Sequence, residues 1–275
     1  MHRLLLILFI SGTISNTMAQ DKNNYSLVWS DEFDTNGKPD PAKWGYEHGF
    51  VRNEEDQWYQ EENAVCKNGL LIIEARREQK PNPGYIKEST DWRTNRPVIN
   101  YTSACLITAG KQEWKYGRFE MRGRIDINEG MWPAWWTLGV DKGWPANGEI
   151  DIMEYYRGRL LANIACLAAD KTPEWHSNSF PVDSLGGAAW SSMFHVWRMD
   201  WTRDFIALYL DDVLLNKVPV DSLVNKNGSN FNPFKQPHYM LLNLAVGGQN
   251  GGDPEKTTFP RRFEIDYIRV YQQKE

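Results

Sequence analysis

Strict alternation of small or apolar residues with charged residues runs through the stretch Gly117-Arg118-Phe119-Glu120-Met121-Arg122-Gly123-Arg124-Ile125. A period of two predicts a β-strand with Phe119 and Met121 on one face. Similar short runs occur outward from this stretch, at Leu70–Ala75, Phe194–Trp201, Phe205–Leu210, Tyr239–Val246 and Phe263–Tyr271. No helical stripe of three turns accompanies them, which argues against a parallel βαβ fold. The sequence therefore predicts an all-β fold built as a two-sheet sandwich.

The composition is that of a folded globular protein with an excess of aromatic residues. The 275 residues are 41% hydrophobic and 24% charged, with a formal net charge of -5. A mildly negative chain lacks the basic face that neutralises phosphates, so we expect no nucleic-acid partner. The 13 Trp, 12 Tyr and 11 Phe then have two interpretations, core packing or stacking on sugar rings. We expect a single domain over residues 20–275 that acts as a monomer.

The N-terminal residues 1–19 have the pattern of a secretory signal peptide. A short positive start is followed by the apolar run Leu4–Ile10, and the small residues Thr17 and Ala19 precede the expected cleavage site. The residue directly after that site is Gln20 and not Cys, and no other apolar run of about 18 residues could span a membrane. We therefore expect an exported protein, periplasmic or extracellular, without a lipid anchor.

The cysteines and histidines show no pattern of a metal site. Cys66, Cys105 and Cys166 have apolar neighbours, and their spacings match no zinc motif. Their odd number leaves at least one thiol unpaired, and we expect buried free thiols. The five His are scattered without ligand spacing. The sequence therefore predicts neither a His-based metal site nor a Ser-His-Asp triad.

Three carboxylates lie close together in the segment Glu149-Ile150-Asp151-Ile152-Met153-Glu154. On a strand, Glu149 and Asp151 point to the same face and Glu154 to the other. One extra residue, a β-bulge at Ile152–Met153, would return Glu154 to the face of the first two acids. Like charges gathered on one face raise the pKa of at least one of the carboxyl groups. That carboxyl group can then act as the acid, while an ionised one acts as the nucleophile.

The spacing of the two glutamates favours one kind of chemistry. With the bulge they lie roughly 13 Å apart along the strand, at about 3.3 Å per residue. Side chains that lean together would bring the carboxyl groups to about 5 Å, the separation of retaining glycoside hydrolysis. Two alternatives remain open, a solvated acidic strand face and a calcium site made by the same carboxylates. The apolar residues between the acids favour a half-buried strand over the solvated face.

Aromatic residues flank the acidic segment. Trp132 and Trp136 lie just upstream and Trp144 immediately precedes it, so we expect all three to line a cleft and stack on sugars. Trp135 has the opposite alternation and is expected in the core. A second polar and aromatic cluster, Gln57–Asn63, is suited to hydrogen-bonding sugar hydroxyls.

The segment Gly148–Tyr155 resembles the signature of glycoside hydrolase family 16, the laminarinase, lichenase and agarase clan, in its bulged E-x-D-x-x-E form. The resemblance extends over nearly the whole chain after residue 19. The other matching segments follow in the family's order, at Trp29–Phe33, Gly69–Ala75, Tyr101–Ala104, Lys115–Glu120, Trp132–Trp136, Asn243–Gly248 and Glu264–Tyr271.

This resemblance implies a β-jelly roll with a concave substrate cleft and a reaction that requires no cofactor. It implies that Glu149 is the nucleophile, Asp151 its assistant and Glu154 the acid/base. It also implies that Trp132 and Trp136 are cleft tryptophans. The positions at which relatives contact sugar are Asn53, Glu62 and Asn63.

Many members of the family hold a structural calcium far from the cleft. The candidate ligands by position are Glu32, Gly69 and Asp266. Asp266 has the alternative of simply capping the last strand. The sequence therefore leaves a structural calcium as a possible addition to the fold.

The resemblance further implies an endo-acting, retaining β-glycanase, with β-1,3 or mixed-linkage β-glucan as the first substrate expected. Two departures complicate this. Cys105 stands where laminarinase-like members usually have Arg, and Leu161–Cys166 lacks the His they tend to carry. Because some family members from gut bacteria cut mucin-type or keratan-like chains, an endo-β-galactosidase (O-glycanase) is the alternative. A non-catalytic glycan-binding jelly roll is the more distant one, since all three carboxylates are present.

Overall fold

The alternating runs of the sequence become strands of two β-sheets in the computed structural model, which describes residues 24–274. The signal peptide expected over residues 1–19 lies outside the described residues. No helix among the residues described is long and apolar enough to cross a membrane.

The strands within residues 24–274 vary in length, from two residues in Gly45–Tyr46 to 13 residues in Arg261–Gln273. In chain order they are β1 (Tyr25–Asp31), β2 (Gly45–Tyr46), β3 (Gln57–Tyr59), β4 (Ala64–Lys67), β5 (Leu70–Pro81), β6 (Val98–Ser103), β7 (Cys105–Ile107), β8 (Gly117–Arg124), β9 (Met131–Gly139), β10 (Glu149–Tyr156), β11 (Arg159–Leu167), β12 (Pro173–Pro181), β13 (His195–Trp201), β14 (Phe205–Leu210), β15 (Val213–Pro219), β16 (His238–Val246) and β17 (Arg261–Gln273). The short α-helices are α1 (Gly187–Ser191) and α2 (Gly248–Gly251), and single 3-10 turns cover Glu61–Asn63, Val182–Leu185, Val220–Ser222 and Pro233–Lys235.

The two sheets divide the chain between them. A ten-stranded sheet has the order β15-β14-β13-β8-β17-β5-β6-β3, with β1 beside β17 and β4 beside β5. A seven-stranded sheet has the order β12-β11-β10-β9-β16-β7-β2 and carries the acidic strand near its middle. The predicted all-β, two-sheet jelly-roll sandwich is confirmed.

The main core lies between the sheets and follows the alternation of each strand. Phe119 and Met121, predicted on one face of β8, are both buried in it. On β9, Met131 and Trp135 also face this core, whereas Ala134 belongs to a second apolar cluster on the outer face of the seven-stranded sheet. The prediction that Trp135 is a core residue is confirmed.

Some strands extend beyond the ends predicted from the sequence, because their backbone pairing continues where the apolar alternation has stopped. β5 continues to Pro81, well past the predicted end at Ala75, because its second half pairs with β6. Ladder hydrogen bonds need no apolar side chains, so the exposed half of β5 carries no signal in the sequence. The cysteines agree with prediction, since Cys66, Cys105 and Cys166 are all buried and free.

Candidate active site

The acidic strand β10 contains the predicted bulge. Toward β11, Asp151 pairs with Asn163 and Glu154 with Leu161, so β10 has one residue more than its partner. The same shift appears toward β9 between Asp151 and Met153. The prediction of a bulge at Ile152–Met153 is confirmed.

The bulge changes which way the side chains point. Ile152 and Met153 are consecutive, and both are buried in the core between the sheets. Glu154 therefore returns to the outer face that already carries Glu149 and Asp151. The cleft on this face is lined by Arg52, Asn53, Glu55, Trp132, Ala134, Trp136, Glu149, Asp151, Glu154 and Asn243.

Glu149 lies at the start of β10 among groups that favour its ionised form. The indole Nε1 of Trp144 donates a hydrogen bond of 2.5 Å to Glu149 Oε2. Burial raises the pKa of Glu149, while hydrogen bonds from Trp144 and Asp151 and the charge of Arg52 pull that pKa back down. Glu149 is thus supplied with donors and with a nearby cation.

Asp151 is the most deeply buried of the three acids, with 3% of its surface exposed. Burial raises its pKa well above the usual value, and the charges of Glu149 and Glu154 raise it further. Three carboxylates on one buried face cannot all be ionised. A protonated Asp151 can donate its proton to a hydrogen bond with Glu149.

Glu154 has neutral partners. Trp132 Nε1 donates to its Oε1 at 2.8 Å, and Asn163 Nδ2 donates to its Oε2 at 3.1 Å. Burial, with a smaller contribution from Glu149, raises the pKa of Glu154 to about 7 against the lowering effect of these hydrogen bonds. A carboxyl group with this pKa can both give and take a proton near neutral pH.

The predicted cleft tryptophans occupy different depths. Trp132 and Trp136 line the cleft and are only 6% and 7% exposed. Trp136 donates to Asn243 Oδ1 at 2.8 Å, and the Arg52 guanidinium lies over its ring, 5.1 Å from the centroid. Trp144 is 53% exposed beside Glu149. All three lie at or beside the acidic cleft.

Of the polar residues proposed to contact sugar, Asn53 lies in the cleft wall, next to a buried carboxylate. Asn53 Nδ2 donates to Glu55 Oε1 at 3.3 Å. Glu55 is 2% exposed and also accepts hydrogen bonds from Gln57 and Tyr59. Neither Glu55 nor Arg52 was predicted as a cleft residue, because both belong to a uniformly polar stretch in which no periodicity distinguishes them.

The structure places Asn63 away from the cleft, which corrects that prediction. Its side chain is 1% exposed, donates to Glu74 O at 2.6 Å and to Thr102 Oγ1 at 3.0 Å, and accepts from Gln60 at 2.7 Å. A buried amide with these partners joins neighbouring segments and is not available to sugar. Glu62 lies on the same 3-10 turn, outside the residues that line the cleft.

The candidate calcium ligands are engaged with arginines. Glu32 accepts hydrogen bonds from Arg269 at 2.9 and 2.7 Å, and Asp266 pairs with Arg122 at 2.5 Å. No group of three or more His, Cys, Asp or Glu side chains suited to a metal occurs within residues 24–274. Both carboxylates are thus paired with arginine side chains, Gly69 offers only its backbone carbonyl, and the calcium site stays a prediction.

Comparison with known proteins places most of the chain in one family of enzymes. The model of glycosyl hydrolases family 16 matches residues 53–269. A beta-glucanase from Rhodothermus marinus is 36% identical, over 98% of this chain and 93% of the relative.

Solved structures agree with this match. The laminarinase from Rhodothermus marinus is 38% identical with a TM-score of 0.73, over 91% of this chain and 98% of that one. A structure from work on endo-acting O-glycanases of the human gut microbiota that initiate mucin breakdown is 33% identical, with a TM-score of 0.82 and 92% coverage of both chains. The chain therefore belongs to glycosyl hydrolases family 16 and is an endo-acting glycoside hydrolase.

Proposed function

We propose that the chain cleaves a β-linked glycan with retention of configuration, with Glu149 as nucleophile and Glu154 as acid/base. The observation that carries the proposal is the bulge, which brings both glutamates and Asp151 to one cleft face. Their surroundings differ in the way two roles require. Glu149 has donors and the nearby cation Arg52, whereas Glu154 has neutral partners and a pKa of about 7.

The reaction follows from these positions in two displacements. In the first, the Glu149 carboxylate attacks the anomeric carbon, the glycosidic C–O bond breaks, and Glu154 gives its proton to the leaving oxygen. In the second, the Glu154 carboxylate takes a proton from water, whose oxygen displaces Glu149 from the same carbon. Asp151 acts on Glu149 by donating a hydrogen bond to its carboxylate, so it is a positioning residue.

The pH dependence of kcat/KM is expected to be bell-shaped. Glu154 must hold a proton to act as the acid, so activity falls as pH rises through its pKa of about 7. Glu149 must be ionised to attack, and its raised pKa places the acidic limb above the range of an ordinary surface glutamate. Initial rates across the acidic and alkaline range measure both limbs. A profile that stays flat from neutral into alkaline pH contradicts the assignment of Glu154.

We propose β-1,3 or mixed-linkage β-glucan as the first substrate. The support is the similarity to the beta-glucanase and the laminarinase from Rhodothermus marinus. The cleft is also lined by Trp132 and Trp136 and by a polar wall that includes Asn53 and Asn243. Rings supply stacking surfaces for sugar faces and amides supply hydrogen bonds for hydroxyls.

A second substrate class, host O-glycans, is favoured by a separate observation. The TM-score of 0.82 to the structure from the O-glycanase work exceeds the 0.73 to the laminarinase, although that laminarinase has the higher identity. One of the two departures noted in the sequence, Cys105, lies next to the cleft residue Asn243. Cys105 is buried with the apolar residues of the cleft face, and burial raises the pKa of its thiol well above the usual value.

A substrate panel decides between the two classes. Laminarin, barley glucan, agarose, keratan sulfate and mucin are incubated with the enzyme, and products are identified by mass spectrometry. We expect oligosaccharides from laminarin or barley glucan, and Glu149→Gln protein as the matched control releases none. Release from mucin or keratan sulfate alone replaces β-glucan with the second class.

We also propose that the protein is exported and acts as a monomer. Export rests on the signal-peptide pattern of residues 1–19. The monomer rests on the single domain expected over residues 20–275. Mass spectrometry of the mature N-terminus and light scattering in solution test these two points.

A further inference from the structure

We propose that Trp175 on β12 is a sugar-binding platform on the far side of the catalytic strand, in a row with Glu149. This inference deepens the proposed function and rests on it. The cleft residues described so far lie on β9, β10 and β16 and on residues 52–55. Trp175 lies on the opposite side of β10, at the edge of the same sheet.

Strand register places Trp175 on the cleft face. Glu149 pairs with Ala165 on β11, and Ala165 pairs with Trp175 on β12. Directly paired residues of antiparallel strands point to the same face of the sheet. Glu149, Ala165 and Trp175 therefore form one row across the concave face, and about 10 Å separates the outer two strands at about 4.8 Å per strand.

The middle residue of this row has a small side chain. Ala165 carries only a methyl group between the Glu149 carboxylate and the Trp175 indole. It is not part of the core cluster between the sheets, which agrees with its orientation toward the cleft. Ala165 is 0% exposed, so neighbouring side chains cover its methyl group, and a glycan that extends from Glu149 toward Trp175 would pass above them.

The next row supplies polar groups. Asp151 pairs with Asn163, and Asn163 pairs with Ser177 on β12. Ser177 is exposed and two residues from Trp175, so its hydroxyl lies on the same face. An aromatic ring beside an amide and a hydroxyl is the combination that binds a sugar through its apolar face and its hydroxyl edge.

The exposure of Trp175 is unusual for its residue type. It is 44% exposed, and among the tryptophans of residues 24–274 only Trp144 joins it in the exposed class, at 53%. An indole that is partly open to solvent offers an apolar ring face together with a polar N–H, which suits a wet binding surface. Trp144 is hydrogen-bonded to Glu149, and Trp175 lies two strands from Glu149 in the same row.

This placement gives the enzyme binding surface on both sides of the cleavage point. Trp132, Trp136 and Arg52 lie on the β9 and β16 side, and Trp175 lies on the β12 side. An endo-acting enzyme holds sugar units on both sides of the bond that it cleaves. The occupant that we assign to the Trp175 face is therefore the same glycan chain, continuing out of the catalytic centre.

The test is the substitution Trp175→Ala, compared with Trp175→Phe and with Leu27→Ala. Leu27 is a matched control because it is 53% exposed on β1 of the other sheet. For Trp175→Ala we expect KM on laminarihexaose to rise about tenfold with little change in kcat. A tenfold change corresponds to about 1.4 kcal/mol of binding free energy, the size expected for one lost aromatic contact. Trp175→Phe should recover most of the loss, and Leu27→Ala should match the wild type.

A binding measurement keeps the test independent of turnover. Calorimetric titration of Glu149→Gln protein, with and without Trp175→Ala, uses laminarihexaose and a poly-N-acetyllactosamine hexasaccharide as probes. Weaker binding of either probe without Trp175 supports the platform. If Trp175→Ala leaves the affinity for each probe unchanged, the proposed platform is wrong, and the catalytic assignment is unaffected. The catalytic assignment itself fails separately, if Glu149→Gln protein keeps its activity.

Discussion

Replacing Glu149 with glutamine is expected to lower kcat/KM by about 10⁴-fold on whichever glycan the enzyme cleaves. The amide cannot form the glycosyl-enzyme ester, and loss of a nucleophile removes the lower-energy two-step path. Glutamine has the same shape and still accepts the 2.5 Å hydrogen bond from Trp144 through its amide oxygen. The loss therefore reports on chemistry and not on folding.

The measurement combines initial rates with a thermal melt. The melting temperature of Glu149→Gln protein should lie close to that of the wild type or above it, because a buried carboxylate is removed. Activity within tenfold of the wild type would disprove the nucleophile assignment. NMR of the first anomer released by the wild type adds a second check, since retention is required by double displacement.

Replacing Glu154 is expected to have the second largest effect, a loss of about 10² to 10⁴-fold in kcat/KM. The loss depends on the leaving group, because an aryl glycoside with an acidic phenol departs with little help from an acid. Glu154→Gln protein should therefore keep much more activity on such a substrate than on the polysaccharide. It should also lose the fall in activity near pH 7, because the group with a pKa of about 7 is gone.

Azide distinguishes the two glutamates. In Glu154→Ala protein, azide can attack the glycosyl-enzyme without a general base, which restores turnover and yields a glycosyl azide of retained configuration. In Glu149→Gly protein, azide instead replaces the nucleophile and yields the inverted anomer. Glu120→Gln, on β8 of the other sheet, is the matched acid control and should behave as the wild type. If Glu154→Ala protein instead yielded the inverted azide and Glu149→Gly protein the retained one, the roles of the two glutamates would be reversed.

Much of the active strand was predictable because its signals are local. A strand alternates with period two, so Glu149 and Asp151 must share a face, and Glu154 can join them only through a bulge. The structure has that bulge. The same reasoning separated the cleft residue Trp136 from the core residue Trp135.

Residues that depend on contacts between distant segments were harder to predict. Asn63 looked like a sugar ligand beside polar neighbours, yet it is buried against Glu74 and Thr102. Arg52 gave no signal in the sequence, yet its guanidinium lies over Trp136 in the cleft. A polar side chain has the same local pattern whether it binds a substrate or its own chain.

By itself the sequence determined the all-β class, the faces of the main strands and the acidic segment with its bulge, because these depend on periodicity within a few residues. Only the tertiary structure decided that Asn163 donates to Glu154 and that Trp175 lies in the row of Glu149. These relations depend on the pairing register of β10, β11 and β12. Register is set by packing of the whole sheet and by the turns between strands, and no single strand encodes it.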